Sequence, residues 1–165
     1  MNKTPSQTVG PYYTIGLCRR TDNELVAAGD PEAIVLRGEL LDGDGVAITD
    51  GMVEVWQPVE RRWGRSGTHP AEDRPGGTFA FVVSKPEAPA GQAPHLDVLV
   101  FARGLLKHQW TRMYFPDETE ANVADPVLAS LSADERARLI ASREDGGLRF
   151  DIHMQGPQET VFFAL

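Results

Sequence analysis

His95 and Asp97 stand two residues apart in the run His95-Leu96-Asp97-Val98-Leu99-Val100-Phe101-Ala102-Arg103. On a strand, that spacing aims an imidazole and a carboxylate to the same side. Such a pair can ligate a metal, or its members can bond their neighbours in a buried cluster. It is only half of a metal site. The other histidines, His69, His108 and His153, supply no second histidine within ligand-pair spacing. Asp42-x-Asp44-Gly45 has the opening of a calcium loop, but Val46 and Val53 occupy positions that need oxygen ligands, so a hairpin turn accounts for it better. Cys18 is the single cysteine, which permits no internal disulfide. Arg19 and Arg20 beside it would lower the thiol's pKa, yet no general base lies nearby. No Gly-x-Ser-x-Gly elbow is present, and Gly76-Gly77 does not open a helix that would cradle phosphate. Arg103, followed by Gly104, closes an apolar strand. Its guanidinium offers a forked donor pair to a carboxylate ligand, or else a surface ion pair to one of the chain's own carboxylates.

The elements that would position these groups are mostly strands. Twelve prolines and sixteen glycines punctuate short apolar runs, the pattern of an all-β domain rich in turns. Strands are predicted at 34–40, 52–56, 78–83, 95–103, 109–115, 148–155 and 160–165. In the run from His95, Leu96, Val98, Val100 and Ala102 form one apolar face, and the other face is mixed. Residues 57–77, with Arg61, Arg62, Arg65 and Arg74, are predicted to be a long loop of functional or interface character. Ser132-Ala133-Asp134-Glu135 is a capping box that predicts a helix to about Arg143. Residues 1–17 read as an extended arm whose Val9, Tyr12, Tyr13, Ile15 and Leu17 need somewhere to dock. The organisation expected is an arm and connection over 1–33, then a β-sandwich over 34–165.

Composition narrows the partners. The 165 residues suit one domain with a real core. Sixteen Lys and Arg against 24 Asp and Glu give a net charge of −8, which opposes nucleic acid and anionic membranes. No apolar run exceeds five residues, against the roughly 20 that a membrane helix needs. The expectation is a cytoplasmic protein. An anionic small molecule would have to be met by a local basic group.

Several ordered segments carry a family resemblance. They are Thr4-Pro5-Ser6-Gln7-Thr8-Val9-Gly10-Pro11-Tyr12, Leu41-Asp42-Gly43-Asp44-Gly45, Val53-Glu54-Val55-Trp56-Gln57, Phe101-Ala102-Arg103-Gly104, Thr111-Arg112-Met113-Tyr114-Phe115, Arg149-Phe150-Asp151-Ile152 and Glu159-Thr160-Val161-Phe162-Phe163. Together they resemble the intradiol ring-cleavage dioxygenases over nearly the whole chain. The resemblance implies a β-sandwich of the intradiol dioxygenase type with an extended N-terminal arm, long loops and one short inserted helix. It also implies cleavage of a catechol-type ring by iron(III) and O2, with the iron held by two tyrosines and a His-x-His pair.

This sequence departs from that ligand pattern. His95 matches the first histidine, and Asp97 replaces the second. The three tyrosines are Tyr12 and Tyr13 in the arm and Tyr114 after the His95 strand, whereas the family's ligand tyrosines precede that strand. Glu87 stands where one of them would be sought. One histidine and one aspartate do not reproduce the anionic field of two phenolates. The expectation is that no catalytic residue and no metal belong to this chain, with His95 and Asp97 as vestigial positions. The resemblance then implies that Fe(III) is held by a homologous beta subunit in a higher alpha–beta hetero-oligomer acting on a dihydroxybenzoate. It implies that Thr8, Gly10, Pro11, Tyr12 and Arg103 of this chain help form the substrate pocket. A homomeric enzyme with altered ligands, or a β-sandwich binding module without a catalytic partner, are the alternatives.

Overall fold

The computed structural model describes residues 12–72 and 74–164. Thr8, Gly10 and Pro11 lie outside the described residues. The chain forms a short helix α1 (Tyr13–Gly16) and then strands β1 (Ile34–Leu41), β2 (Met52–Gln57), β3 (Arg62–Gly67), β4 (Thr78–Val83), β5 (His95–Phe101) and β6 (Gln109–Tyr114). Helices α2 (Thr119–Ala124), α3 (Pro126–Ala129) and α4 (Ala133–Ala137) follow, and then β7 (Ser142–Glu144), β8 (Gly147–Arg149) and β9 (Ile152–His153). One sheet runs β4-β1-β8-β7, with β9 also paired to β1; the other runs β3-β2-β5-β6.

Period-two alternation builds the core between the sheets. Leu36 and Leu40 of β1 and Phe79 and Phe81 of β4 face Val53 and Val55 of β2, Leu96, Val98 and Val100 of β5, and Met113 of β6. Each such side chain contributes about 1.5–3 kcal/mol by leaving water. Gly38 lets its flanking segments in the same sheet approach closely: a Cβ there would lie 1.9 Å from the Phe150 carbonyl oxygen and 2.4 Å from Phe79 Cζ.

The structure differs from the sequence expectation in four places. Within the arm read as extended over 1–17, Tyr13–Gly16 closes the helical turn α1, with Leu17 N–H donating to the Tyr13 carbonyl. The 57–77 loop contains β3, which pairs with β2 from Met52↔Gly67 to Gln57↔Arg62. Its buried positions include Gly64 and Ser66 rather than apolar residues: a Cβ on Gly64 would meet Leu25 Cδ1 at 2.3 Å, and Ser66 Oγ accepts from Arg74. Hence no apolar alternation marks the strand. The single helix expected over 132–143 is five residues long, and two helical turns precede it. Asp125 starts α3 by accepting from the N–H groups of Val127 and Leu128, with Pro126 at its first turn. Ser132 caps α4 with Glu135 as read from the sequence. The last predicted strands shrink to β8 and β9, and only a bridge Trp110↔Phe163 remains of the run at 160–165.

Gly38→Ala is expected to destabilise the domain by about 2–3 kcal/mol in urea unfolding. Gly29→Ala, with nothing within 4 Å of an added Cβ, should change stability by less than about 0.5 kcal/mol. Equal effects would show that Phe79 and Phe150 do not crowd Gly38.

Candidate functional site

The outer face of the β3-β2-β5-β6 sheet carries the candidate residues. Register places Asp97 opposite Arg112 and His95 opposite Tyr114. His95 is buried, and its Nδ1–H donates to the Ala93 carbonyl at 2.8 Å. Its Nε2 lies 3.8 Å from Asp97 Oδ1, beyond hydrogen-bond range. Burial holds the imidazole below its usual pKa; the Ala93 bond opposes that shift, the Arg112 charge adds to it, and Asp97 and Asp125 oppose it. The ring is therefore neutral at pH 7, with a lone pair on Nε2.

Arg112 supplies the positive charge. Its Nε is 3.3 Å from Asp97 Oδ1, the two side chains being 13% and 20% exposed. Its Nη1 donates to Gln92 Oε1 at 2.7 Å and approaches the Tyr114 hydroxyl at 3.4 Å. The guanidinium carbon lies 5.6 Å from the Trp110 ring centroid, and Trp110 Nε1–H donates to Asp97 Oδ1 at 3.2 Å. Tyr114, fully buried, donates to Asp125 Oδ1 at 3.2 Å. Asp125 in turn accepts from the Ala93 N–H at 2.9 Å and caps α3. Burial pushes the Tyr114 phenol up to about 12, with Arg112 opposing and the Asp125 charge adding to the shift.

An iron ion of the kind the resemblance implies does not fit these residues. The tyrosine here is a protonated phenol, the second ligand of the pair is a carboxylate already bound by Arg112 and Trp110, and a permanent cation stands beside them. Among the described residues no three His, Cys, Asp or Glu side chains converge as a metal site. Glu87 is exposed at the surface, where its N–H donates to Glu60 Oε1.

Of the other predicted site residues, Tyr12 and Arg103 are among the described ones, and Arg103 lies at the other end of β5. Arg103 follows that strand and is eight residues from His95, roughly 25 Å of extended chain. Its side chain is 78% exposed, and Nε pairs with Asp50 Oδ2 at 2.7 Å. It lines an open groove of about 570 Å³ with Leu105, Met154 and Phe162. Tyr12 is 78% exposed, and the adjacent Tyr13 is buried with its hydroxyl donating to the Gly51 carbonyl. Asp50–Gly51 thus meets both Arg103 and the start of the described arm. The structure brings the Tyr13 hydroxyl and Arg103 to one corner of the sandwich and separates Arg103 from His95 and Asp97.

Other readings are corrected. The Cys18 thiol is raised, not lowered: burial outweighs the opposing charge of Arg65. The arginines of the 57–77 segment are largely held internally, Arg62 on Ser84, Arg65 on Glu54 and Arg74 on Ser66. Arg149 of the Arg-Phe-Asp-Ile segment bonds Glu39 and Asp151 at 2.9 and 2.8 Å, a cross-link of β8 to β1. Sequence reasoning missed Arg112, Asp125, Tyr13 and Asp50. The alternation Trp110-x-Arg112-x-Tyr114 was the available signal for Arg112, since it puts a cation on the outer face of a strand beside His95-x-Asp97.

The solved structures that resemble this chain define the fold. The dioxygenase domain of a dioxygenase–carbohydrate-binding fusion from Streptomyces sp. SirexAA-E superposes with a TM-score of 0.59 at 22% identity, covering 94% of this chain and 99% of that one. An intradiol ring-cleavage dioxygenase from Tetranychus urticae gives 0.55 at 16% identity, with 98% of each chain covered. The sandwich is that of the intradiol dioxygenases. No family model matches the chain. Curated relatives are more specific: the protocatechuate 3,4-dioxygenase alpha chain of Burkholderia cepacia is 39% identical over 192 residues, spanning 99% of this chain and 98% of its own. The alpha chain of that name from Pseudomonas putida is 36% identical over 199 residues, spanning 98% and 96%. The chain belongs to the family of protocatechuate 3,4-dioxygenase alpha chains.

Two outcomes test the network. Arg112→Ala leaves Asp97 partly buried without its cation and is expected to cost about 1–3 kcal/mol, while the double variant with Asp97→Ala loses less than the two single variants summed. Strict additivity in denaturant unfolding would show no coupling. His95 is held below its ordinary pKa of 6.5. Below that pH the unfolded chain binds a proton that the native ring refuses, so stability falls with pH. His95→Asn should lose less stability than the native chain between pH 7.5 and 5.5; an equal or larger loss would contradict the buried neutral ring.

Proposed function

We propose that this chain is the iron-free subunit of a hetero-oligomeric protocatechuate 3,4-dioxygenase. It is read as an arm and connection, residues 1–33, on a sandwich, residues 34–165. A homologous beta subunit holds Fe(III), and the pair opens 3,4-dihydroxybenzoate with O2 to carboxymuconate. The Arg112 guanidinium carries this reading: it pairs with Asp97, the carboxylate that replaces the second histidine of the ligand pair. Family membership supplies the reaction class.

The chain's own contribution lies at its other end. Thr8, Gly10, Pro11, Tyr12 and Arg103 border the partner's pocket. The Tyr12 ring offers a flat wall with a polar tip. Arg103 presents a cation to the anionic ring substituent, the local charge that a chain of net −8 otherwise opposes. Ring opening itself belongs to the partner's metal. No helix among the described residues is long and apolar enough to cross a membrane, and the complex is read as cytoplasmic.

The test is iron content and turnover of the chain purified alone and co-expressed with an iron-binding beta-type intradiol subunit. Alone, it should hold far less than one iron per chain and show no ring cleavage; the complex should turn over. Near-stoichiometric iron with a phenolate-to-iron absorption band in the lone chain would establish a self-sufficient enzyme instead. Failure of any beta-type subunit to form a stable, active complex would leave a non-catalytic module. Deletion of residues 1–12 is expected to lower turnover of the complex at least about tenfold by removing positioning contacts, with little change in the chain's unfolding midpoint. Undiminished turnover would remove the arm from the pocket.

A further inference from the structure

Arg103 faces a difficulty common to exposed arginines. A long side chain in water samples many rotamers and gains little from one surface ion pair. A guanidinium that must meet a ligand carboxylate in one orientation needs a fixed support, and the structure supplies it at three points. The first is the backbone: Leu105 N–H donates to the Ala102 carbonyl at 3.2 Å across a turn whose third residue, Gly104, has φ +89°, a conformation that favours glycine. The second is Asp50, whose Oδ2 lies 2.7 Å from Arg103 Nε.

The third is what holds Asp50. The Asp50–Gly51 corner is pinned from both sides. Gly51 N–H donates to Thr68 Oγ1 at 2.8 Å, and the Thr68 hydroxyl donates to the Ile48 carbonyl at 2.7 Å. The Gly51 carbonyl accepts from the buried Tyr13 hydroxyl. A Cβ on Gly51 would stand 2.3 Å from Leu40 and 3.2 Å from Thr68 Oγ1, so the corner is packed to contact. The Asp50 side chain is 24% exposed and that of Arg103 is 78% exposed. Asp50 is therefore the fixed partner and Arg103 the movable one.

We propose that Asp50 is a positioning residue: from the pinned corner its carboxylate holds Nε of Arg103 and turns the terminal guanidinium nitrogens outward to receive the carboxylate of an aromatic substrate. Occupying Nε leaves the two terminal nitrogens as a planar donor fork, a geometry that fits a carboxylate with two parallel bonds. The inference rests on the reading that Arg103 meets the substrate. Because Tyr13 docks on the same corner, one short segment sets both Arg103 and the residue that follows Tyr12.

The experiment is steady-state kinetics of the assembled complex carrying native chain, Asp50→Asn, Arg103→Ala or both. Each form is assayed with 3,4-dihydroxybenzoate and with unsubstituted catechol, the latter as substrate or as competitive inhibitor. Asp50→Asn is expected to raise KM for the carboxylated ring about 3- to 10-fold, the size of a coupling between contacting residues. It should leave kcat within about twofold and catechol affinity unchanged, and should add nothing on the Arg103→Ala background. The isosteric substitution keeps the shape of this partly exposed side chain and should leave the unfolding midpoint in place, which separates positioning from folding. An Asp50→Asn effect of equal size on both rings, or at full size without Arg103, overturns the proposal. If Arg103→Ala raises KM for the carboxylated ring and Asp50→Asn does not, the proposal fails while the role of Arg103 stands. If Arg103→Ala has no effect on either ring, both fall together.

Discussion

The ion pair between Arg112 and Asp97 sets what the outer face of the β3-β2-β5-β6 sheet can be. Arginine stays protonated at any physiological pH. A guanidinium 3.3 Å from Asp97 therefore compensates that carboxylate permanently, where a metal would do so conditionally. The rest of the cluster follows from it. Gln92 and Asp97 accept from or pair with Arg112, Trp110 donates to Asp97, and Tyr114 bonds Asp125. Asp125 caps α3 and takes the Ala93 N–H, so the inserted helices are docked by the same network. Tyr114, Leu128, Leu139 and Ala93 then form a second apolar cluster over that end of the sheet. A buried polar network of this kind is stable only when its members are satisfied.

Much of the sandwich was legible because its central strands alternate. Val53 and Val55, then Leu96, Val98 and Val100, announce their buried face directly. Strand β3 was not legible, because Gly64 yields its space to Leu25 and Ser66 accepts from Arg74, and tertiary neighbours leave no local pattern. The helices before α4 were hidden for a related reason: they are a few residues long, and Asp125, which caps one of them, spends its other oxygen on a distant N–H group. At the site, His95-x-Asp97 could be read as a pair. What compensates it came from the neighbouring strand, and only the register of β5 with β6 shows that Arg112 stands opposite Asp97.

One strand connects two different chemistries. The start of β5 carries His95 and Asp97 in a closed, charge-compensated cluster; beyond its end, Arg103 is open to solvent. The main core between the sheets is built from other positions on the same strands. Its packing therefore does not depend on a bound ion at the outer face. The same rigidity fixes the far end, because a loop that follows a buried strand inherits a fixed starting point.

Charge explains why orientation matters at that end. With a net charge of −8, the chain repels an anion at long range, and salt screens the field beyond about 8–10 Å. Attraction must come from a contact, not from steering. Five of the other arginines, Arg62, Arg65, Arg74, Arg112 and Arg149, are already engaged, on Ser84, Glu54, Ser66, Asp97, and Glu39 with Asp151. Arg103 is held by a single carboxylate on a pinned corner and remains largely in solvent. A short-range cation of that kind gains affinity by losing rotamer freedom before the ligand arrives, since freedom surrendered on binding is subtracted from the bond. On the proposed reading of Arg103, a guanidinium oriented in advance on an acidic surface is what would discriminate between a carboxylated ring and a bare one.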